Sequence, residues 1–213
     1  MVEWVTGHTL HHHLGIQHNL AHQAGEWVPR VPPLARERPV TILGLGALGQ
    51  ACAQALCALN FPVTGWSRTA RDVPGVTCLS GAEGLKQALS TAQILILLLP
   101  DTPATTNVIN EETLAALPRG ACLINPGRGP LIDDDALLAA LKSGHVAGAT
   151  LDVFRVEPLP ADHPYWSHPN VIGTPHIAAE TRGKTAAQFI ARNIARGEAG
   201  EGFLHLVDHN QGY

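Results

Sequence analysis

Val40-Thr41-Ile42-Leu43, then Gly44-Leu45-Gly46-Ala47-Leu48-Gly49, then a helical run from Gln50 to Leu59, is the stretch on which the fold is decided. Four apolar or branched residues in a row read as a strand buried on both faces. The three glycines then fall at the spacing of a turn that carries a parallel strand into a helix. Gly44 would allow the tight turn, Gly46 would let backbone amides approach an anion, and Gly49 would let helix and strand pack closely. The N-terminus of the helix, at Ala47 and Leu48, adds partial positive charge to such a site. The same glycines could serve a ligand-free packing of small residues. The strand–turn–helix context favours a dinucleotide pyrophosphate.

Working outward, Val63–Trp66, Gln93–Leu99, Ala121–Ile124, Val146–Leu151 and Val171–Gly173 read as further strands. Helical segments separate them at about 82–89, 111–117 and 134–142, and another runs over Glu180–Arg196. Asp133 is placed to cap the 134–142 helix, Asp134 and Asp135 suit its first turn, and Gly144 suits its end. Strands alternating with helices predict an α/β fold, a doubly wound parallel sheet, with an N-terminal helix and a C-terminal helical tail.

Composition narrows the function. The chain has 213 residues, 45% hydrophobic and 15% charged, with a formal net charge of −4. That suits a cored globular protein and gives no electrostatic reason to hold nucleic acid. The longest apolar run, Ile94–Leu99, is far short of the ~20 residues of a spanning helix, so no membrane partner is expected. The start, Met1-Val2-Glu3-Trp4, lacks a basic stretch followed by an apolar one, so no secretory signal is expected and the location expected is cytoplasmic. Cys52, Cys57, Cys78 and Cys122 form no metal-type spacing and read as reduced thiols.

Residues 2–24 predict one helix ending near Gly25, followed by a linker through Pro29-Arg30-Val31-Pro32-Pro33. His8, His11, His12, His13, His18 and His22 crowd it. The pairs His8/His12 and His18/His22 have chelating spacing, but no carboxylate or cysteine completes a set nearby. A polar helix face or interface is expected, with no metal.

The residues that would read the cofactor's second half lie after the next strand. An acidic residue there would bond the ribose hydroxyls of NAD. This chain has instead Trp66-Ser67-Arg68-Thr69, with Arg71 close behind. A guanidinium and two hydroxyls suit a 2′-phosphate, so NADP(H) is expected over NAD(H), which stays possible. Arg68 as an ordinary solvated arginine is the plainer alternative.

Three further motifs fall at or just beyond strand ends, the edge where open parallel sheets bind ligands. They are Asn125-Pro126-Gly127-Arg128-Gly129, Leu151-Asp152-Val153-Phe154 with Glu157-Pro158, and Thr174-Pro175-His176. Reduction of a 2-keto acid needs a cationic clamp for carboxylate and carbonyl oxygen, and an acid that protonates that oxygen as hydride arrives. Arg128 can be the clamp and His176 the acid. Glu157 on the other ring nitrogen would orient the imidazole and favour its protonated form. Taken singly, each reads equally well as an ion-paired loop arginine, a glutamate before proline, or a half-buried histidine.

Taken together and in this order, the motifs resemble the D-isomer-specific 2-hydroxyacid dehydrogenases over nearly the whole chain. Trp66-Ser67-Arg68, Glu157-Pro158-Leu159-Pro160, His176-Ile177-Ala178-Ala179 and the terminal Gly212-Tyr213 are most similar to the glyoxylate/hydroxypyruvate reductase A branch. The resemblance implies an oxidoreductase, with Arg128, Glu157 and His176 as its catalytic positions and a small 2-keto or 2-hydroxy acid as its substrate. It places Asp152 on the nicotinamide side of the cofactor, with Leu99, Pro100 and Thr106 along the cofactor groove. Asn125, Pro126, Gly127 and Ala178 join the cofactor-binding set. It also implies a homodimer packed through the helix at 2–24. The domains it implies are 1–178, binding nucleotide, and 179–213, a C-terminal contribution to a substrate-binding domain. Relatives carry a substrate lobe ahead of this stretch, so turnover by this chain alone is expected to be impaired. The competing readings are a catalytically silent NADP(H)-binding or interaction module, and a different Rossmann dehydrogenase in which Glu157 and His176 are structural.

Overall fold

The computed structural model describes residues 1–207, so Gly212-Tyr213 lies outside the described residues. Seven strands form one sheet: β1 (Val40–Leu43), β2 (Val63–Ser67), β3 (Thr77–Ser80), β4 (Ile94–Leu97), β5 (Ala121–Asn125), β6 (Val146–Leu151) and β7 (Val171–Gly173). Their order is β3-β2-β1-β4-β5-β6-β7, and every pairing is parallel. The order reverses between β1 and β4, which opens a crevice at the carboxyl ends of these two strands.

The alternating side chains of the central strands divide the core into two layers. Val40, Ile42, Ile94, Ile96, Cys122 and Ile124 pack with α1 (Val2–Leu14) and α3 (Ala47–Ala58) through Val5, Cys52, Ala53 and Leu56. Leu43, Leu95, Leu97 and Leu123 pack on the other face with α4 (Gly81–Ser90), α5 (Glu111–Ala115) and α6 (Asp134–Lys142). Thr41, fully buried, escapes an unsatisfied hydroxyl by donating to the carbonyl of Ala88 at 3.1 Å.

The α6 boundaries are those its caps predict: Asp133 accepts from the Ala136 N–H at 3.0 Å, and Gly144 follows with φ +68°. The N-terminal helix is a correction. In place of one helix over 2–24, α1 ends at Leu14 and α2 (Ile16–Ala21) begins after Gly15, whose φ of 67° breaks the ladder. Residues 26–34 have no regular structure. Strand β3 also escaped the sequence reading, because Thr77-Cys78-Leu79-Ser80 carries no apolar run, and it forms the sheet edge beside β2.

The fold has two compact units, Met1–Ala178 and a second from Ala179 onward. In the second, α7 (Gly183–Glu198) is followed by a segment that turns back on it. Leu204 N–H donates to Asn193 Oδ1 at 2.8 Å, and Arg196 pairs with Glu201 at 2.8 Å. No helix among the described residues is long and apolar enough to cross a membrane.

Candidate active site and dinucleotide crevice

The glycine turn closes the crevice on the β1 side. Gly44 has φ +110°, and a Cβ there would lie 2.4 Å from the Leu98 carbonyl oxygen, in the loop after β4. A Cβ at Gly49 would lie 1.8 Å from the Gly44 carbonyl oxygen, so helix α3 approaches the strand as only glycine permits. Gly46 caps α3 and would meet nothing within 4 Å. Ala47 and Leu48 are exposed beside it, so the free first-turn amides of α3 face open space. The cradle therefore fits a phosphate group.

At the end of β2, the Trp66 indole N–H donates to the Gly81 carbonyl at 2.9 Å, and the Ser67 hydroxyl donates to the Thr69 carbonyl at 2.7 Å. Arg68 and Thr69 are exposed there. After β4, Leu99 is buried and Pro100 half-buried. Thr106 sits in a turn, its hydroxyl donating to the Thr102 carbonyl at 3.1 Å.

Across the crevice, three loops at the ends of β5, β6 and β7 hold the remaining residues. Asn125 is fully buried and shapes its own loop, accepting from Gly127 N–H at 3.1 Å and donating to the Arg128 carbonyl at 2.9 Å. Pro126 and Gly127 are buried, which leaves Arg128 exposed at the rim. A Cβ at Gly129 would lie 2.0 Å from the Phe154 carbonyl carbon, so this loop and the one after β6 touch backbone to backbone. The Glu157 carboxylate accepts from Phe154 N–H at 2.9 Å and from the His176 ring Nδ1 at 2.7 Å. Partial burial alone would raise the Glu157 carboxyl, but these two bonds and the charges of His176 and Arg128 bring it below its ordinary value. The bond at Nδ1 leaves Nε2 as the ring atom available for proton exchange. The His176 side chain is 52% exposed.

Asp152 is where the structure changes the emphasis. Its carboxylate, fully buried, accepts from Thr174 Oγ1 at 2.5 Å, Ile177 N–H at 2.9 Å and Ala178 N–H at 2.8 Å. These bonds hold His176 in the left-handed region, at φ 55°, where few non-glycine residues settle without support. Asp152 thus shapes the histidine loop. Thr174 and Phe154 join the site for the same reason, one through its hydroxyl and the other through its backbone N–H. Both stand in the motifs read from the sequence but carried no role there, since the Thr174 partner lies 22 positions away and a backbone donor such as Phe154 N–H leaves no residue-type signature. A second anchor is Arg155, whose guanidinium donates to Asn107 Oδ1 and to the Ile132 carbonyl and lies 3.6 Å from Asp134. It ties the loops after β4, β5 and β6 together.

The histidines of α1 and α2 face inward more than expected. His13 is buried against Phe61, with ring centroids 5.0 Å apart, and His12 Nε2 bonds Thr150 Oγ1 at 2.9 Å. His8 packs on Trp4 at 4.2 Å. Among the described residues no group of three or more His, Cys, Asp or Glu is placed to hold a metal ion.

Residues 8–178 match the family model described as D-isomer specific 2-hydroxyacid dehydrogenase, NAD binding domain. A D-isomer specific 2-hydroxyacid dehydrogenase from Xanthobacter autotrophicus Py2, solved in complex with NADPH and MES, is 47% identical with a TM-score of 0.95, over 100% of this chain and 88% of that one. The NADPH-dependent glyoxylate/hydroxypyruvate reductase of Sinorhizobium meliloti, solved with NADP and sulfate, is 37% identical with a TM-score of 0.95, over 100% of this chain and 69% of that one. A phosphoglycerate dehydrogenase from Lactobacillus plantarum is 30% identical with a TM-score of 0.79, over 97% of this chain and 69% of that one.

Proposed function

The chain belongs to the D-isomer specific 2-hydroxyacid dehydrogenase family, a family of NAD(P)-dependent oxidoreductases, and from that premise we propose that it binds NADP(H) and reduces a small 2-keto acid of the glyoxylate or hydroxypyruvate kind. The observation that carries the reading is the 2.7 Å His176–Glu157 pair within reach of the Arg128 charge. The amides opening α3 and residues Gly44, Gly46, Ala47, Leu48 and Gly49 hold the pyrophosphate. Ser67, Arg68 and Thr69 at the end of β2 receive the 2′-phosphate. The groove is completed by Leu99, Pro100, Thr106, Asn125, Pro126, Gly127, Asp152 and Ala178. When bound, the cofactor supplies the hydride. Arg128 orients the substrate carboxylate and carbonyl oxygen as a bidentate donor. His176 Nε2 delivers the proton to that oxygen, while Glu157 keeps the ring in place and stabilises its charge.

The half-exposed His176 ring is open to water in this chain, and water weakens each of these electrostatic contacts. A catalytically silent NADP(H)-binding module is the competing reading. We assign the unit from Ala179 onward to a substrate-binding domain, of which it would be the C-terminal part. A homodimer is the assembly we assign, through the helical region at 2–24, where Leu14, Ile16 and Leu20 are exposed. A cytoplasmic location completes the proposal.

The test pairs fluorescence titration with turnover. NADPH should bind at least about tenfold tighter than NADH, with the preference lost in Arg68→Ala. Glyoxylate- or hydroxypyruvate-dependent NADPH oxidation should fall in His176→Ala to the buffer rate. Equal affinity for the two cofactors, unchanged by Arg68→Ala, overturns the NADP assignment. Keto-acid reduction undiminished in His176→Ala overturns the proton route. Tight NADPH binding with no turnover identifies the silent module.

A further inference from the structure

Residues 153–160 follow β6 without forming a helix or a strand, so no backbone ladder places the Glu157 carboxylate. Side chains place it instead. Glu157 engages one oxygen with each partner: Oε1 accepts from Phe154 N–H at 2.9 Å, and Oε2 from His176 Nδ1 at 2.7 Å. The torsion that turns a carboxylate is soft, so the plane of Glu157 is defined only while both bonds are made. The first bond requires the Phe154 backbone to stay in place. Phe154 is held on two sides, its ring 6.4 Å from that of buried Tyr165 and its carbonyl against Gly129. The next residue, Arg155, supplies the third hold, donating to Asn107 Oδ1 and to the Ile132 carbonyl.

Two of these holds meet on one carboxylate. Asp134, in the first turn of α6, accepts from the Tyr165 hydroxyl at 2.9 Å through Oδ1, and its Oδ2 lies 3.6 Å from Arg155 Nε. Its place at a helix N-terminus would be favourable without either partner. The pair is screened less than a surface ion pair, with the Asp134 side chain 26% exposed and that of Arg155 34%. A planar guanidinium can face Asp134 with one nitrogen and Asn107 and Ile132 with another, which the single ammonium of a lysine cannot match. Tyr165 touches both the acid that faces Arg155 and the ring of Phe154. Asp134, Tyr165 and Arg155 thus close around the backbone that donates to Glu157.

We propose that Arg155, set by Asp134 and Tyr165, is a positioning residue for proton transfer: it fixes the Phe154 N–H that orients Glu157, and through Glu157 the His176 ring. The inference rests on His176 as the proton donor proposed above, so its test is read first on the ring itself. The experiment is NMR of the histidine ring nitrogens in the full chain at neutral pH, for the wild type, Arg155→Met, Arg155→Lys and Glu157→Gln, with His176→Asn identifying the signal. In Arg155→Met the His176 Nδ1 signal should move toward its position in Glu157→Gln, where the charged acceptor is gone. In Arg155→Lys, which keeps a cation beside Asp134 but loses the fork, it should move less in the same direction. The kcat for glyoxylate reduction should fall about tenfold in Arg155→Met and recover in part in Arg155→Lys. Should Arg155→Met fail to fold by circular dichroism, Arg155→Lys decides, and its signal must move. A displaced signal with no turnover by any of the proteins sinks the keto-acid reading and supports the positioning role. That role is overturned if folded Arg155→Met leaves the His176 signal in its wild-type place, or if its kcat equals that of an active wild type.

Discussion

Acidification should unfasten α1 through His12, and the size of the effect follows from where that ring sits. His12 is held between the sheet and its own helix, bonded to Thr150 Oγ1. Burial, then the neighbouring His11, His8 and Arg38, lower its pKa from 6.5 to about 3. The folded value lies below the unfolded one, so the stability tied to the neutral ring is present above the unfolded pKa. It drains away as pH falls toward the folded pKa. At pH 5, about 1.5 units below the unfolded value, the unfolded chain has taken up a proton that the folded chain refuses. At 1.36 kcal/mol per unit this removes about 2 kcal/mol relative to pH 7. Because pH 5 still lies well above the folded value, a folded pKa one unit higher would leave the figure nearly unchanged. The assay is urea denaturation at pH 7 and pH 5, followed by tryptophan fluorescence, for the wild type and His12→Gln. The glutamine can still bond Thr150 but does not titrate, so it should lose about 2 kcal/mol less between the two pH values. Equal losses in the two proteins would refute the neutral buried ring.

Two further outcomes follow from close contacts in the site. Gly49→Ala places a methyl on the Gly44 carbonyl oxygen, backbone against backbone, and should cost about 3 kcal/mol or more in urea unfolding while abolishing NADPH binding. Asp152→Asn replaces an acceptor of three hydrogen bonds by a group that also presents donors, and should cost about 3 kcal/mol. It should also release His176 from φ 55°, seen as a histidine ring resonance shifted toward that of an exposed imidazole.

Much of this molecule was legible in the order of its residues. The short apolar runs at Val40–Leu43 and Ile94–Leu97 announced strands covered on both faces, and the glycine spacing at 44, 46 and 49 announced the turn between strand and helix. Both signals are local, because periodicity and steric freedom are properties of neighbouring residues. The Asp133 cap is legible for the same reason, since donor and acceptor lie three residues apart. Strand β3 was not legible, because an edge strand gains its stability from pairing with β2 and needs no apolar run of its own. The helix break at Gly15 escaped as well, since a glycine in a helical pattern is tolerated until a partner such as Arg30 occupies the space a side chain would need. Residue types and their order proposed Arg128, Glu157 and His176 as a set. Only the folded chain decides their distances, through loops fixed by Asp152 and Arg155, whose hydrogen-bond partners lie 22 to 48 positions away. Hydrogen bonds of that range depend on the sheet having already brought the strand ends side by side, and no local pattern encodes them.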